Sequence, residues 1–236
     1  MKTLLTYSIA IILISFTFSS CKIDKVAPGD ALGPNFPSII NTVITPTLLD
    51  TLTKNGVVIN SGLTPPTVNG IYLLSPNYCI FDNSGNNRAG QTFYSYKYQF
   101  SNQNNASFAI SIAYSDAIGG GTDLGLNANN TYISGSGNLF TVFTKITATD
   151  EGITYTELKI ISGEIEEGGI NNLQVSDYWE NIVNDPTHLL VPAGTNRIFK
   201  DQDGVSETQS TFSVTGKQVP GIGESRLKSI LSEGAR

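Results

Sequence analysis

The chain is 236 residues long, with 39 % hydrophobic but only 14 % charged residues, 23 Gly, 10 Pro, 10 Tyr and 11 Phe, a mixture that excludes a disordered chain, a coiled coil and a disulfide scaffold. That length fits one domain, or one domain and a tail, whose core folds without staples. Asp and Glu number 20 against 14 Lys and Arg, a net charge of −6, and so little basic surface excludes a general nucleic-acid binder.

Met1-Lys2-Thr3 is a short basic start, Leu4 to Phe18 is an apolar run, and Ser19-Ser20-Cys21 closes it. Basic, apolar and small-residue segments in that order are those of a cleaved secretory signal, and about 15 apolar residues are short for a membrane span. Phe18-Ser19-Ser20-Cys21 resembles the lipobox of bacterial lipoproteins, with Phe18 where Leu is usual. The resemblance implies that residues 1–20 are removed and that Cys21 is acylated as the new N-terminus. Several acyl chains, at ~0.8 kcal/mol per buried methylene, hold a domain on a bilayer without a transmembrane helix. Lys22 follows the Cys where, in lipoproteins of Gram-negative bacteria, an Asp favours the inner membrane. The resemblance therefore implies the outer membrane, with the periplasmic or surface face left open. The other cysteine, Cys79, sits in the apolar stretch Tyr78-Cys79-Ile80-Phe81 and reads as a small buried hydrophobe.

Residues 21–44 contain Pro28, Gly29, Gly33, Pro34 and Pro37 and read as a tether. A short helix follows: Thr45 caps, Pro46 takes the first helical position, Leu48, Leu49 and Leu52 share a face, and Asn55-Gly56 stops it. Its leucines need a surface, so it is expected against the side or one end of a sheet. From Val57 the pattern has period two. Tyr94, Tyr96, Tyr98 and Phe100 alternate with polar residues, as do Phe108, Ile110, Ile112 and Tyr114, and Ser101 to Asn105 between them read as a hairpin turn. Further strands are expected at 69–75, 78–82, 131–135, 139–147, 153–166 and 170–183. His188 to Pro192 and Asn196 to Lys200 suggest a hairpin through Ala193-Gly194-Thr195. Residues 201–221 are polar and turn-rich, and Leu227, Ile230 and Leu231 suggest a brief helix in a C-terminal tail, residues 208–236. Strands joined by short turns make a meander, and a long meander removes its edges by closing into an up-and-down barrel.

Several of these segments resemble a group of Bacteroidetes-type outer-membrane lipoproteins of unassigned function with a lipocalin/calycin-like domain. They are Leu49, Leu52 and Gly56 leading to Gly62-Leu63-Thr64-Pro65-Pro66-Thr67-Val68-Asn69-Gly70-Ile71-Tyr72, Ile133 to Val142, Ser162-Gly163-Glu164-Ile165, Gly169 to Leu173, and Arg197 to Gly204. The resemblance covers about residues 45–207 and implies an antiparallel β-barrel with a short leading helix. Asn69-Gly70-Ile71-Tyr72 stands where true lipocalins have Gly-x-Trp. Motifs of this kind speak for fold more than for function.

Chemistry is sparse. His188 is the sole histidine, in the turn-like Asp185-Pro186-Thr187-His188, and no Gly-x-Ser-x-Gly nucleophile accompanies it. Gly119-Gly120-Gly121-Thr122-Asp123 lacks the Gly-Lys-Ser/Thr that a phosphate loop requires. Glu164, Glu166 and Glu167 offer carboxylates beside a Gly-Gly turn, where solvated charge is the ordinary explanation. Asp201-x-Asp203-Gly204, with Glu207 near, has the spacing that begins some calcium loops but lacks the Glu at the twelfth position, so no metal site and no cofactor are expected. Tyr94, Tyr96, Tyr98 and Trp179 are the candidate ligand-facing residues, because aromatic faces with a polar tip stack on sugars or line apolar cavities. The expected function is that of a non-enzymatic, lipid-anchored envelope protein binding a small apolar ligand or a glycan, with no nucleic-acid partner. The alternatives are an interaction or assembly protein with a filled barrel, and a carboxylate-based hydrolase.

Overall fold

A computed structural model of the chain describes residues 32–116, 130–150 and 152–212. The expected signal, Cys21, the Gly119-Gly120-Gly121 loop and the terminal helix through Leu227, Ile230 and Leu231 lie outside the described residues.

The chain is mainly β, as its alternating residues predict. The first strands are β1 Gly70–Leu74, β2 Asn77–Asp82, β3 Thr92–Phe93, β4 Tyr96–Asn104, β5 Ala109–Asp116 and β6 Thr131–Ser136. There follow β7 Leu139–Asp150, β8 Ile153–Glu166, β9 Gly169–Val183, β10 Asn196–Asp201 and β11 Val205–Thr208. All belong to one antiparallel sheet in the order β11-β1-β4-β5-β6-β7-β8-β9-β10-β2-β3, and β11 also pairs with β9. Eight strands, β1, β4 to β9 and β11, therefore follow one another around a ring, while β10, β2 and β3 continue the sheet away from it.

Strand β9 makes both arrangements at once. Its residues Gly169, Ile170 and Asn171 pair with β11, and Gln174 to Tyr178 pair with β10. Between these stretches Asn172 has φ 52°, and the register with β8 shifts between Ser162 and Glu164. Two residues of β9 thus face Gly163 alone, a bulge that bends the strand and that Asn tolerates because it adopts left-handed φ readily. Gly163 leaves the room required, since a Cβ there would lie 2.4 Å from Ile170 Cγ2.

The ring's inner face is packed with Tyr72, Leu74, Tyr98, Phe100, Ile112, Tyr114, Phe140, Val142, Ile161 and Val175. Val68 closes one end of this cluster, its N–H held by Gln103 Oε1 at 2.8 Å. Leu190 and Val191 pack on Tyr155 and Trp179 at the other end. The helix α1, Pro46–Lys54, begins where expected, with Thr45 Oγ1 accepting from Leu48 N–H. Leu48, Leu49 and Leu52 cover Phe143, Leu158, Ile160 and Ile198 on the sheet's outer face.

Four expectations are corrected. Residues from Leu32 onward are not a tether: Leu32, Ile40, Val43 and Ile44 are buried in the same outer cluster, because that sheet face is apolar and needs cover. The β4–β5 turn occupies 105–108 rather than 101–105, because Asn104 Oδ1 accepts from Ala106 and Ser107 N–H and starts the turn there. Residues 188–192 form no strand, and β10 pairs instead with β9 and β2. Polar residues 205–208, read as turn, form β11, which the main-chain bonds of β1 and β9 hold without apolar alternation.

The β9–β11 seam depends on a close backbone approach. A Cβ at Gly169 would lie 2.4 Å from the Ser206 carbonyl oxygen. Gly169→Ala is expected to destabilise the protein by about 1–3 kcal/mol in denaturant unfolding. It should also speed hydrogen exchange at Thr208, whose N–H donates to Gly168 O at 2.9 Å.

Candidate functional site

A row of charged side chains crosses the inner face of four adjacent strands. Lys159 of β8 is the register partner of Asp177 of β9, Asp177 of Arg197 of β10, and Arg197 of Asp82 of β2. Register partners share a sheet face, so the signs alternate plus, minus, plus, minus along the hydrogen-bonding direction. Lys159 Nζ hydrogen-bonds Asp177 Oδ1 and lies 3.2 Å from Glu157 Oε1. Arg197 Nε lies 3.5 Å from Asp82 Oδ1, and its guanidinium carbon sits 5.9 Å from the centre of the Trp179 ring.

An aromatic row faces this one. Tyr72, Tyr98 and Tyr114 are successive register partners on β1, β4 and β5, and Tyr98 and Tyr114 have ring centres 5.9 Å apart. Lys159 Nζ lies 4.8 Å from the Tyr114 ring centre, which joins the two rows across the interior. The charged layer is thus held between the aromatic cluster and the Tyr155–Trp179–Leu190 cluster.

The energetics of this layer turn on pairing. Burial favours the neutral Lys159 amine, but Asp177 and Glu157, and then Tyr98 and Tyr114, raise its pKa well above the ordinary value. Burial also opposes ionisation of Asp82, yet its bonds from Ser84 and the Arg197 charge outweigh it and the pKa is lowered. The Asp82 carboxylate accepts from Ser84 N–H at 2.8 Å and Arg88 N–H at 3.1 Å, so the residue also fixes the loop after β2. Burial, then the nearby Asp82 charge, pushes the Cys79 thiol up to about 11, which suits an inert core residue rather than a nucleophile.

The predicted ligand-facing residues do not form one surface. Strand β4 starts at Tyr96, so Tyr94 falls outside it and is exposed, whereas Tyr96 is half-buried against the core. Tyr98 and Trp179 are each 4 % exposed and lie in separate clusters. His188 is exposed in a loop, and Asp185 is occupied by the N–H groups of Leu189 and Leu190. Glu166 and Glu167 are exposed at the β8–β9 turn. Asp201 is buried, accepting from Ser75 N–H and Ser206 Oγ, while Asp203 is exposed and accepts from Val205 N–H. Glu207 is exposed next to Ser206 on β11, and successive strand residues point to opposite faces. Among the described residues no three His, Cys, Asp or Glu side chains gather as a metal group.

Sequence reasoning missed the charged row altogether. Lys159, Asp177 and Arg197 are charges among other polar residues of their strands, and only their inward position in the register marks them. No family model matches the chain, and neither a curated protein nor a solved structure matches it at a significant level.

Removing the cation at the centre of the layer leaves buried anions without compensation. Lys159→Met is expected to cost about 3–5 kcal/mol in urea unfolding, and adding Glu157→Gln and Asp177→Asn should recover much of that loss. The pH dependence has a definite sign at Asp82. A carboxyl whose folded pKa is below its unfolded value adds stability above the unfolded value and loses it as pH falls through the folded one. Asp82→Asn should therefore flatten the stability profile below about pH 4, measured by thermal unfolding across an acid series.

Proposed function

We propose that this protein is a non-enzymatic, lipid-anchored component of the cell envelope, held at the outer membrane through Cys21. The ring is read as a closed, lipocalin/calycin-like up-and-down barrel whose interior its own side chains fill. Its work is then done on the outside, as an interaction or assembly module, through loops and outer strand faces. The observation that carries this reading is the packed interior. Tyr98, Phe100, Tyr114 and Phe140 lie against one another, Lys159 and Asp177 pair on the ring's own strands, and Arg197 and Asp82 pair on the adjoining β10 and β2. An apolar ligand or glycan inside the ring would have to displace these groups, which leaves buried charges unpaired.

Two features support the remaining parts. The anchor rests on the lipobox resemblance at Phe18-Ser19-Ser20-Cys21. The non-enzymatic reading rests on where the carboxylates are. Glu157 and Asp177 converge on one ammonium group, not on a cleft, so neither is placed to serve as acid or nucleophile.

The anchor is tested by Cys21→Ser in cells. The variant should move from the membrane fraction to the soluble fraction and fail to incorporate labelled palmitate. The filled interior is tested by titrating the purified protein with a fluorescent fatty acid and with oligosaccharides. No saturable binding is expected, and a saturable signal quenching Trp179 would reinstate the ligand-binding reading.

A further inference from the structure

Where β10 ends, two register partners each carry a buried oxygen atom without a hydrogen-bond donor. Asp201 is 2 % exposed and its register partner on β2, Asn77, is 3 % exposed, and the Oδ1 atom of each has no hydrogen-bond partner. The rest of each side chain is committed. Asp201 Oδ2 accepts from Ser75 N–H at 3.0 Å and from the Ser206 hydroxyl at 2.7 Å. Asn77 Nδ2 donates to the Tyr94 carbonyl at 3.0 Å. Strand β2 lies between β10 and β3, and Tyr94 follows β3, so the amide nitrogen is turned to the β3 side. The amide oxygen lies opposite its nitrogen and is therefore turned toward β10 and Asp201. Its orientation is not free to reverse, because an amide oxygen set against the Tyr94 carbonyl would put two acceptors together.

A third oxygen donor stands at the mouth. The Asp203 carboxylate comes within hydrogen-bonding reach of Asp201, and Asp203 is exposed. Among the described residues neither carboxylate makes an ion pair with Lys or Arg. Two carboxylates and one amide oxygen, with no nitrogen or sulfur donor, are the ligands of a hard cation. We propose that Asp201, Asp203 and Asn77 form a site for a hard divalent cation, Ca²⁺ foremost, at the junction of β10, β2 and the turn leading into β11.

The electrostatics agree. Burial, then the hydrogen-bonding approach of Asp203 and its charge, push the Asp201 carboxyl up to about 6 despite the bonds it accepts from Ser206 and Ser75. At neutral pH the carboxylates are charged side by side, and a cation removes the repulsion as well as the two vacancies in hydrogen bonding.

The test is calorimetric titration of the purified full-length chain, stripped with chelator and kept in detergent at neutral pH, with Ca²⁺, Mg²⁺ and Na⁺ in separate runs. Saturable one-site Ca²⁺ binding is expected, with a Kd of about 10⁻⁵–10⁻³ M. At about tenfold that concentration Tm should rise by ~3–5 °C. Asp203→Asn keeps an acceptor for Val205 N–H and so should fold as the parent does, yet bind at least about tenfold more weakly. Asn77→Ala should weaken binding also, without altering the response to Na⁺. The proposal is overturned if no divalent cation binds saturably, or if Asp203→Asn binds Ca²⁺ as tightly as the parent. It is equally overturned if carbon NMR shows Asp201 titrating near neutrality identically with and without Ca²⁺, since the corner would then hold a proton alone.

Discussion

One bend in one strand decides the architecture. A strand has two edges, and β8 takes the whole of one edge of β9. The other edge must serve β11 and β10 in turn, which a straight strand can do only if the two partners run into each other. The bulge at Asn172 opposite Gly163 resolves this by turning β9 between its two partners. The Asn172 N–H, released from the ladder, donates to Gly204 O at 2.8 Å in the turn between β10 and β11. The same peptide that bends the strand thus ties down the connection between the strands it separates.

The charged row depends on the register this bend sets. Taking Lys159, Asp177, Arg197 and Asp82 out of water costs several kcal/mol per ion, which pairing offsets only when partners meet on the same face. A slip of one residue in β9 or β10 would send every side chain of that strand to the opposite face. Lys159 would then keep Glu157 on its own strand but lose Asp177, and Arg197 would leave Asp82 buried without its cation. The penalty for a wrong register is therefore larger than the gain from the right one. This is the sense in which the row specifies pairing among β8, β9, β10 and β2 more than it adds stability. The tyrosines on β1, β4 and β5 do the complementary work by dispersion and packing, and the Lys159–Tyr114 contact couples the two halves of the interior.

Legibility in the sequence followed the strength of the local pattern. Helix α1 was readable to within a residue because Thr45, Pro46 and Asn55-Gly56 each act on the backbone directly. Strands β7, β8 and β9 were readable because the turn signals Asp150-Glu151-Gly152 and Glu166-Glu167-Gly168-Gly169 separate long runs rich in strand-forming residues. Strand β11 was not, since Val205-Ser206-Glu207-Thr208 carries no apolar alternation and is held by main-chain bonds to β1 and β9 and by the Ser206 hydroxyl on Asp201. The segment before Thr45 was misread for a related reason. Its prolines and glycines mark irregular backbone correctly, but irregular chain can still be packed, and Ile40, Val43 and Ile44 cover the outer face of the sheet. For the candidate site, sequence showed which residues are aromatic and which are charged. Only the register shows that Tyr98 spends its face on Tyr114 and that Lys159, Asp177 and Arg197, each from a different strand, stand in one line.

The corner at Asp201 is where these constraints meet, and that explains why unpaired acceptors collect there. Along most of the ring a strand finds a neighbour on both sides, the single β5–β6 pair Ala109–Tyr132 being the thinnest seam, so most polar groups have partners at regular spacing. At the end of β10 the sheet divides: β9 passes to β11, β2 turns back toward β1, and the chain reverses through 202–204. The β10–β2 ladder ends at this pair, and the Oδ1 atoms of Asp201 and Asn77 are left without a donor. Local rules of patterning and pairing agree through the rest of the fold, and a place where they fail together in a buried position is where a bound group is expected to supply what the chain does not. Asp201 Oδ2 has a structural role, since it ties Ser75 and Ser206 to the end of β10, but Oδ1 has none. Its presence beside Asp203 is the feature that the fold alone leaves unexplained, and a cation accounts for it.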